Sequence, residues 1–189
     1  MTFHLAIRLI WDIWLASWVI ASFWSYRIAR SPGFGEGALH WTLTAAGLAL
    51  VVAIWSNAGW LTASLWPVGA GFGWTMAAMT AVGFAFAWWA RLHLGPFWSA
   101  SVGRKADHKV IDTGPYALAR HPIYTGLIIA SWATGAAHGA AGGAIGAALV
   151  TGGLYLKARL EERFLRAELG AAYEQYRRRT PMLIPFPRR

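Results

Sequence analysis

Apolar residues fill long stretches of this chain, and charged residues interrupt them at only a few places. Two stretches, Ala38–Ala90 and His121–Leu156, contain no Asp, Glu, Lys or Arg. Because a membrane-spanning helix needs about 20 apolar residues, each stretch is long enough to cross a bilayer twice. The helices predicted from them are Leu39–Trp55, Trp66–Ala90, Pro122–Thr134 and Ala140–Leu156.

A further helix is predicted before them, over Phe3–Tyr26. This segment is apolar apart from Arg8 and Asp12, which stand one turn apart and can pair on one face. It outlasts the roughly 7–15 apolar residues of a signal peptide and lacks a basic leader, so we expect a mature helix. The fold class predicted is therefore an all-α integral membrane protein with about five transmembrane helices.

The last two apolar helices are short and separated near Gly135–Gly139. They carry the spacings Gly139-xxx-Gly143 and Gly142-xxx-Gly146, which let two backbones approach closely and predict a tight helical hairpin. After it, Lys157–Arg179 is predicted to form a separate amphipathic helix on the membrane surface. Its apolar stripe consists of Leu160, Phe164, Leu165, Leu169, Tyr173 and Tyr176.

The composition agrees with a membrane protein. Hydrophobic residues make up 57% of the chain and charged residues 13%, whereas soluble domains average about 45–50% and 25%. The 13 Trp, 9 Phe and 6 Tyr exclude disorder. With no Cys, thiolate catalysis and Cys-ligated metals are excluded, and the six His show no clustered metal-ligand spacing, so no metal is expected.

The net charge of +9 is distributed unevenly. Five crossings bring Arg27, Arg30, the loop Arg91–Arg120 and the C-terminal tail to one side, which the positive-inside rule makes cytoplasmic. We therefore expect a protein of the inner (plasma) membrane with an external N-terminus and a cytoplasmic C-terminus. Nucleic acid is not an expected partner, because the aromatic residues lie in the apolar segments rather than among the arginines.

Two polar clusters are predicted to meet at the cytoplasmic mouth of the hairpin. The first contains the turn Thr113-Gly114-Pro115-Tyr116 and the run Arg120-His121-Pro122-Ile123-Tyr124, in which Pro122 fits a first helical turn and His121 its N-cap. The second contains Arg159, Glu161 and Glu162. Because a hairpin returns the chain to its starting side, we expect one shared site.

In this order and spacing the motifs resemble the isoprenylcysteine carboxyl methyltransferase family and its phospholipid methyltransferase relatives. The motifs are Gly-Pro-Tyr, Arg-His-Pro-x-Tyr-x-Gly, a Glu-Glu pair, and a terminal Gly-x-x-Tyr-x-x-Tyr followed by Ile-Pro. The resemblance covers about Arg91–Pro185. It implies an integral membrane enzyme that uses S-adenosyl-L-methionine, with 91–189 as the cofactor-binding and catalytic region. The region 1–90 matches the family only as generic membrane helices, and its three helices, rich in Trp and Gly, are expected to line the entry of a lipophilic substrate.

The residues fit such a cofactor in the following way. Glu162, or else Glu161, can accept hydrogen bonds from its ammonium, and His121 can bind its carboxylate. Tyr116 and Tyr124 can face its sulfonium, next to the Gly114-Pro115 turn. A carboxylate acceptor needs a cation to hold it, for which Arg159 is the first candidate and Arg120 the second, whereas an amine or phenol needs a base such as Glu161, Glu162 or His121.

Several alternatives stay open at this stage. The methyl acceptor could be a prenylated carboxylate, a phospholipid amine or another isoprenoid lipid. A sterol-type membrane reductase shares the Arg-His-Pro hairpin but binds NADPH, whose phosphates require cations rather than the acidic pair. A small transporter or scaffold is the non-enzymatic alternative, although no internal repeat supports it.

Overall fold

A computed structural model describes residues 1–23, 34–53, 63–95 and 110–184, with the side chains of 34–36 and 52–53 left out. The predictions on Arg27 and Arg30, and on the C-terminal ends of the helices Phe3–Tyr26 and Leu39–Trp55, lie outside these residues. In the described part all regular structure is helical, apart from an isolated bridge between Ser64 and Ala140. The helices are α1 (Phe3–Ser22), α2 (Phe34–Ala53), α3 (Ala70–Leu94), α4 (Pro115–Leu118), α5 (Pro122–His138) and α6 (Ala141–Arg179).

The long helices pack side by side in the order α1, α3, α5, α6, α2. Phe3 of α1 lies against Gly73 of α3, and Ala21 of α1 accepts a hydrogen bond from Arg91 of α3, so these two helices are parallel. The α3–α5, α5–α6 and α2–α6 pairs are antiparallel, since their contacting residues run in opposite order. One end of the bundle therefore gathers the C-terminal ends of α1 and α3 and the N-terminal ends of α2 and α5.

Glycines bring the antiparallel helices together. A Cβ atom on Gly83 of α3 would lie 2.6 Å from the carbonyl oxygen of Gly126 on α5, and one on Gly135 would lie 2.7 Å from the carbonyl oxygen of Gly143 on α6. Gly146 of α6 faces α2 instead, where an added Cβ atom would lie 2.9 Å from the carbonyl oxygen of Gly47. The predicted glycine spacings thus serve two interfaces rather than the hairpin alone.

The opposite end of the bundle is closed by the segment before α3. The backbone N–H of Leu65 donates to the carbonyl of Gly139 at 2.7 Å, and the indole of Trp66 donates to the carbonyl of Ala136 at 3.4 Å. Gly139 ends α5 in the left-handed conformation, at φ 63°. The hairpin turn predicted near Gly135–Gly139 is therefore confirmed.

The predicted boundary at Lys157 between a membrane helix and a surface helix is wrong. α6 runs without interruption from Ala141 to Leu169, and its break comes at Gly170, where φ is 52°. A positive φ is strained for residues with a Cβ atom, so glycine permits the chain to turn here. Beyond the turn, Tyr173 and Tyr176 are buried against the rest of the protein.

Among the described helices, α1 and α3 are long and apolar enough to cross a membrane, and Gly37–Val51 of α2 is a shorter apolar helix. The predicted pair between Arg8 and Asp12 is present on α1, at 3.9 Å and exposed. An all-α membrane protein is therefore confirmed as the fold class. The count of five crossings stays a prediction.

Candidate active site

The N-terminal end of α5 forms the floor of the candidate site. Tyr116 donates its backbone N–H to the carbonyl of Thr113, which makes the predicted turn, and α4 begins with Pro115 at its first position. His121 is the N-cap of α5 and Pro122 opens the helix, as predicted. Because Pro has no N–H, this position leaves no helical donor unsatisfied.

His121 brings both glutamates into one buried cluster. Its Nδ1 lies 3.3 Å from Oε2 of Glu161, and its Nε2 lies 3.5 Å from Oε1 of Glu162. The hydroxyl of Tyr124 donates to Oε1 of Glu161 at 2.6 Å, and the rings of Tyr124 and His121 are stacked at 5.4 Å. His121, Tyr124 and both carboxylates therefore meet, as the sequence predicts for a shared site.

Arg120 is fully engaged in this cluster. Its Nε donates to Oε1 of Glu162 at 2.7 Å, and its Nη2 lies 2.5 Å from the same oxygen. Its Nη1 donates to the backbone carbonyls of Arg177, at 3.2 Å, and Thr180. Arg120 thus ties α5 to the C-terminal end of α6, and its charge is already matched by that of Glu162.

The chain after α6 runs back along the start of α5. The backbone N–H groups of Arg120 and His121 donate to the carbonyls of Pro181 and Met182, at 2.9 and 3.1 Å. The hydroxyl of Thr125 donates to the carbonyl of Leu183 at 2.6 Å. The two backbone N–H groups that precede α5 are therefore bonded to the tail.

Contacts within the cluster shift the pKa values of His121, Glu161 and Glu162 in the direction that favours the charged form of each. Burial by itself lowers the pKa of His121, but the carboxylates of Glu161 and Glu162 outweigh it and raise the pKa above the usual value. Burial by itself raises the pKa of both glutamates, whereas His121, together with Lys157 for Glu161 and Arg120 for Glu162, lowers it. The two carboxylates therefore favour the protonated, cationic form of His121.

One nitrogen in the cluster has no hydrogen-bond partner among the described residues. Nε2 of His121 is buried, and the 3.5 Å to Glu162 is an ionic contact without hydrogen-bond geometry. A buried donor without a partner costs free energy, on the order of 1–3 kcal/mol. This nitrogen is therefore a natural point of attachment for a bound anionic group.

Lys157 and His40 border the cluster, and the sequence analysis did not identify either. Lys157 precedes Glu161 by one turn of α6, and its Nζ lies 5.2 Å from the ring centroid of Trp41 and 5.3 Å from that of Tyr124. His40 of α2 is only 5% exposed. The four-residue spacing from Lys157 to Glu161 is the sequence signal that could have found Lys157, because such residues share one helix face.

Four other predicted site residues lie outside this cluster. Arg159 is exposed, and its Nη1 donates to the hydroxyl of Tyr155 at 2.9 Å. The ring of Tyr116 packs on Ala87, Ala90 and Ile123 in the core, and its carbonyl accepts from the hydroxyl of Tyr176 at 2.6 Å. Pro115 is buried, and Gly114, at φ 57°, lies against the ring of His93.

No group of three or more His, Asp or Glu in the described residues is arranged to hold a metal ion. The arrangement instead offers a buried imidazole flanked by two carboxylates and an aromatic ring. Such a set can bind a zwitterionic ligand by its ammonium and carboxylate groups.

Comparison with known proteins identifies the relatives of this site. Residues 76–166 match the isoprenylcysteine carboxyl methyltransferase (ICMT) family. This range contains α5, the cluster around His121 and the first part of α6 up to Arg166. It begins within α3, before the boundary at residue 90 that the sequence suggested.

Curated relatives share the same region. Methanethiol S-methyltransferase 2 of Bradyrhizobium diazoefficiens is 45% identical over 76 residues, which are 39% of this chain and 29% of that protein. Methanethiol S-methyltransferase of Mycobacterium tuberculosis is 42% identical over 75 residues, which are 39% of this chain and 30% of that protein. The similarity thus spans less than a third of the length of these relatives. The resemblance to the family is confirmed: residues 76–166 of the chain match the isoprenylcysteine carboxyl methyltransferase family.

Proposed function

We propose that this protein transfers a methyl group from S-adenosyl-L-methionine to a small lipophilic acceptor at the cytoplasmic face of the membrane. One observation carries the proposal. The buried cluster of His121, Tyr124, Glu161 and Glu162 lies within the region that matches a methyltransferase family. The relatives named above are also methyltransferases.

The cluster fits the polar groups of this cofactor, which carries an ammonium, a carboxylate and a sulfonium. Nε2 of His121 is a buried donor without a hydrogen bond in the described residues, and it can bind the carboxylate. Each glutamate has oxygen lone pairs to spare for the ammonium. When bound, S-adenosylmethionine supplies an electrophilic methyl group.

The protein's own residues bind the cofactor and orient it. Glu161 and Glu162 accept hydrogen bonds from an ammonium, and the face of Tyr124 can attract a cation by about 0.5–2 kcal/mol. Because Glu161 and Glu162 raise its pKa, His121 holds its proton more firmly than a free imidazole and is poorly suited to take a proton from the acceptor at neutral pH. The residues therefore favour alignment and exclusion of water over general base catalysis.

The relatives also indicate an order among the candidate methyl acceptors. The relatives are named for methanethiol, so we rank a thiol first, ahead of the prenylated carboxylate and the phospholipid amine that the family resemblance implies. A thiol has a lower pKa than an amine, about 8.5 for Cys against about 10.4 for Lys, so part of it is ionised near neutral pH without a base in the site. An amine acceptor, which is protonated at neutral pH, would need a base in the site to remove its proton.

The test is a calorimetric titration of the purified protein in detergent with S-adenosylhomocysteine, with NADPH titrated in parallel. We expect saturable binding of S-adenosylhomocysteine at one site and no binding of NADPH. His121→Asn and Glu161→Gln should each weaken binding about tenfold or more, because hydrogen bonds to charged groups contribute roughly 1.5–3 kcal/mol.

Asp12→Asn is the matched control, since it also converts a carboxylate to an amide but lies exposed on α1. It should bind S-adenosylhomocysteine as the unchanged protein does. Binding of NADPH alone would move the protein to the reductases. Binding of neither ligand by a folded sample would remove the proposed function.

A further inference from the structure

Lys157 lies where three helices meet at the inner margin of the cluster. It belongs to α6, one turn closer to the middle of the bundle than Glu161. Its Nζ is 5.2 Å from the ring of Trp41 on α2 and 5.3 Å from the ring of Tyr124 on α5. An acceptor that approaches from the apolar part of the bundle therefore meets this ammonium before it meets His121.

Groups on each neighbouring helix interact electrostatically with Lys157. Glu161 on α6 attracts it, while His40 on α2 would repel it when protonated. Tyr124 on α5 contributes its ring face, and its hydroxyl bonds to Glu161. Glu161 already accepts from Tyr124 and contacts His121, so Lys157 shares that carboxylate with two other groups. An ammonium carries three N–H donors and can therefore bind a further anion.

The two other cations of this region are placed differently. Residues 157 and 159 point about 200° apart on a helix, and Arg159 is exposed, with its guanidinium 5.8 Å from the ring of Tyr155. Arg120 is buried, but it is bonded to Glu162 and to two backbone carbonyls. Of these three cations, Lys157 is the one that lies beside Glu161 and also borders the apolar part of the bundle.

We infer that the ammonium of Lys157 binds the anionic head of the methyl acceptor, which is therefore an acid bound in its ionised form, a thiolate or a carboxylate, and not an amine. This inference rests on the proposed function. A cation held between two aromatic faces is partly desolvated, which strengthens its attraction for an anion. The same cation repels a protonated amine.

The transfer balances without a base in the site. The acceptor leaves its proton in water and binds as the anion. Its lone pair forms the new bond to the methyl carbon while the bond from that carbon to the donor sulfur breaks and leaves its electron pair on that sulfur. The product, a thioether or an ester, is neutral, so Lys157 no longer attracts it and it can return to the bilayer.

The test measures transfer of a labelled methyl group by the full chain in detergent, with three acceptors: methanethiol, a farnesylated cysteine derivative with a free carboxylate, and phosphatidylethanolamine. We expect one of the first two to be methylated, which identifies the anion as a thiolate or a carboxylate. Lys157→Met should raise the acceptor KM about tenfold or more, as loss of a charge-assisted hydrogen bond does. Its affinity for S-adenosylhomocysteine should change less than about twofold, and Lys157→Arg should recover most of the loss.

Arg163→Met is the charge-matched control, because it removes an exposed cation from the same helix. It should leave the acceptor KM unchanged. A second measurement does not depend on any variant: in the unchanged protein, the KM for a thiol should fall as the pH rises toward the pKa of that thiol, about 8.5 to 10, because the anion is the bound form.

Three results would overturn the inference. They are methylation of phosphatidylethanolamine in preference to both acids, an acceptor KM in Lys157→Met equal to that of Arg163→Met, and a rise of KM in Arg159→Met without one in Lys157→Met. The last result would instead support Arg159 as the cation that holds the acceptor, as expected from the sequence. Failure of the proposed function looks different, because the unchanged protein would then not bind S-adenosylhomocysteine.

Discussion

At the scale of single residues, the pair of Arg120 and Glu162 shows how one motif arginine serves structure. Both side chains are nearly fully buried, and Arg120 also holds the carbonyls of Arg177 and Thr180. A buried ion pair contributes modest net stability, but removal of one partner leaves the other charge buried without compensation. The pair therefore fixes where the end of α6 sits relative to α5.

This leads to a prediction on stability. Arg120→Met should lower the free energy of unfolding by about 3–5 kcal/mol, because Glu162 would remain buried with its main partner lost. The double variant Arg120→Met/Glu162→Met should recover part of that loss. Chemical unfolding in a fixed detergent, followed by circular dichroism, measures both values.

The exposed pair of Arg179 and Asp112 provides the control. It also links the end of α6 to the segment before α5, but its side chains are 57% and 35% exposed. Arg179→Met should therefore cost less than about 1 kcal/mol. Equal losses in Arg120→Met and Arg179→Met would mean that Arg120 is not the anchor of the tail.

The residue chemistry could be predicted in part from the sequence. His121 at a helix start and the Glu161-Glu162 pair were identified from Pro122, from the hairpin and from the family motifs, and the structure brings them together. Lys157 was missed because it was assigned to the first turn of a surface helix. Arg159 was the first candidate cation, but residues 159 and 161 point about 200° apart on a helix, and Arg159 is exposed in the structure.

At the scale of helices, contacts between backbones decide the packing. Gly83 of α3 faces Gly126 and Ala130 of α5, so that close approach replaces interlocking of large side chains. The long apolar stretches predicted that these helices exist, because a membrane-spanning helix can be identified from the length and composition of its segment alone. The sequence pattern could not predict which helices pack against each other, since almost every face of each helix is apolar.

Gly83→Ala should therefore destabilise the protein. The added Cβ would lie 2.6 Å from the carbonyl oxygen of Gly126 and 2.9 Å from the amide nitrogen of Ala130, and backbone atoms cannot move aside cheaply. Overpacking of this kind costs about 1–3 kcal/mol. A fall in the midpoint of thermal unfolding in detergent, followed by circular dichroism, measures the effect.

Gly71→Ala on the same helix is the control, because nothing lies within 4 Å of its added Cβ. Alanine is a better helix former than glycine by up to about 1 kcal/mol, so this variant should be as stable as the unchanged protein or more so. If both variants lost stability alike, the loss would come from the backbone conformation of glycine and not from the α3–α5 contact.

At the scale of the whole molecule, the exposed surface is strongly apolar. Large hydrophobic side chains that are more than half exposed include Ile13, Leu15, Val19, Ile20, Leu39, Val82 and Leu92. Soluble monomers rarely expose contiguous apolar patches of more than a few hundred Å². Lipid is the environment that such a surface requires, and it agrees with the composition that first indicated a membrane protein.

The alternating helix directions support a prediction about topology. The N-terminal end of α1 and the candidate site lie at opposite ends of the bundle, so an odd number of crossings separates Thr2 from the tail. The chain contains no cysteine, so a single introduced cysteine reports one position. In intact cells an impermeant maleimide should label Thr2→Cys but not Arg178→Cys, and both positions are exposed in the structure.

Permeabilised cells provide the control, since both variants should then be labelled. Labelling of Arg178→Cys alone in intact cells would invert the orientation and contradict the positive-inside assignment. Labelling of both, or of neither, would put the two ends on one side and contradict the odd number of crossings. Only the expected pattern leaves the Glu161 and His121 cluster facing the cytoplasm, as the proposed function requires.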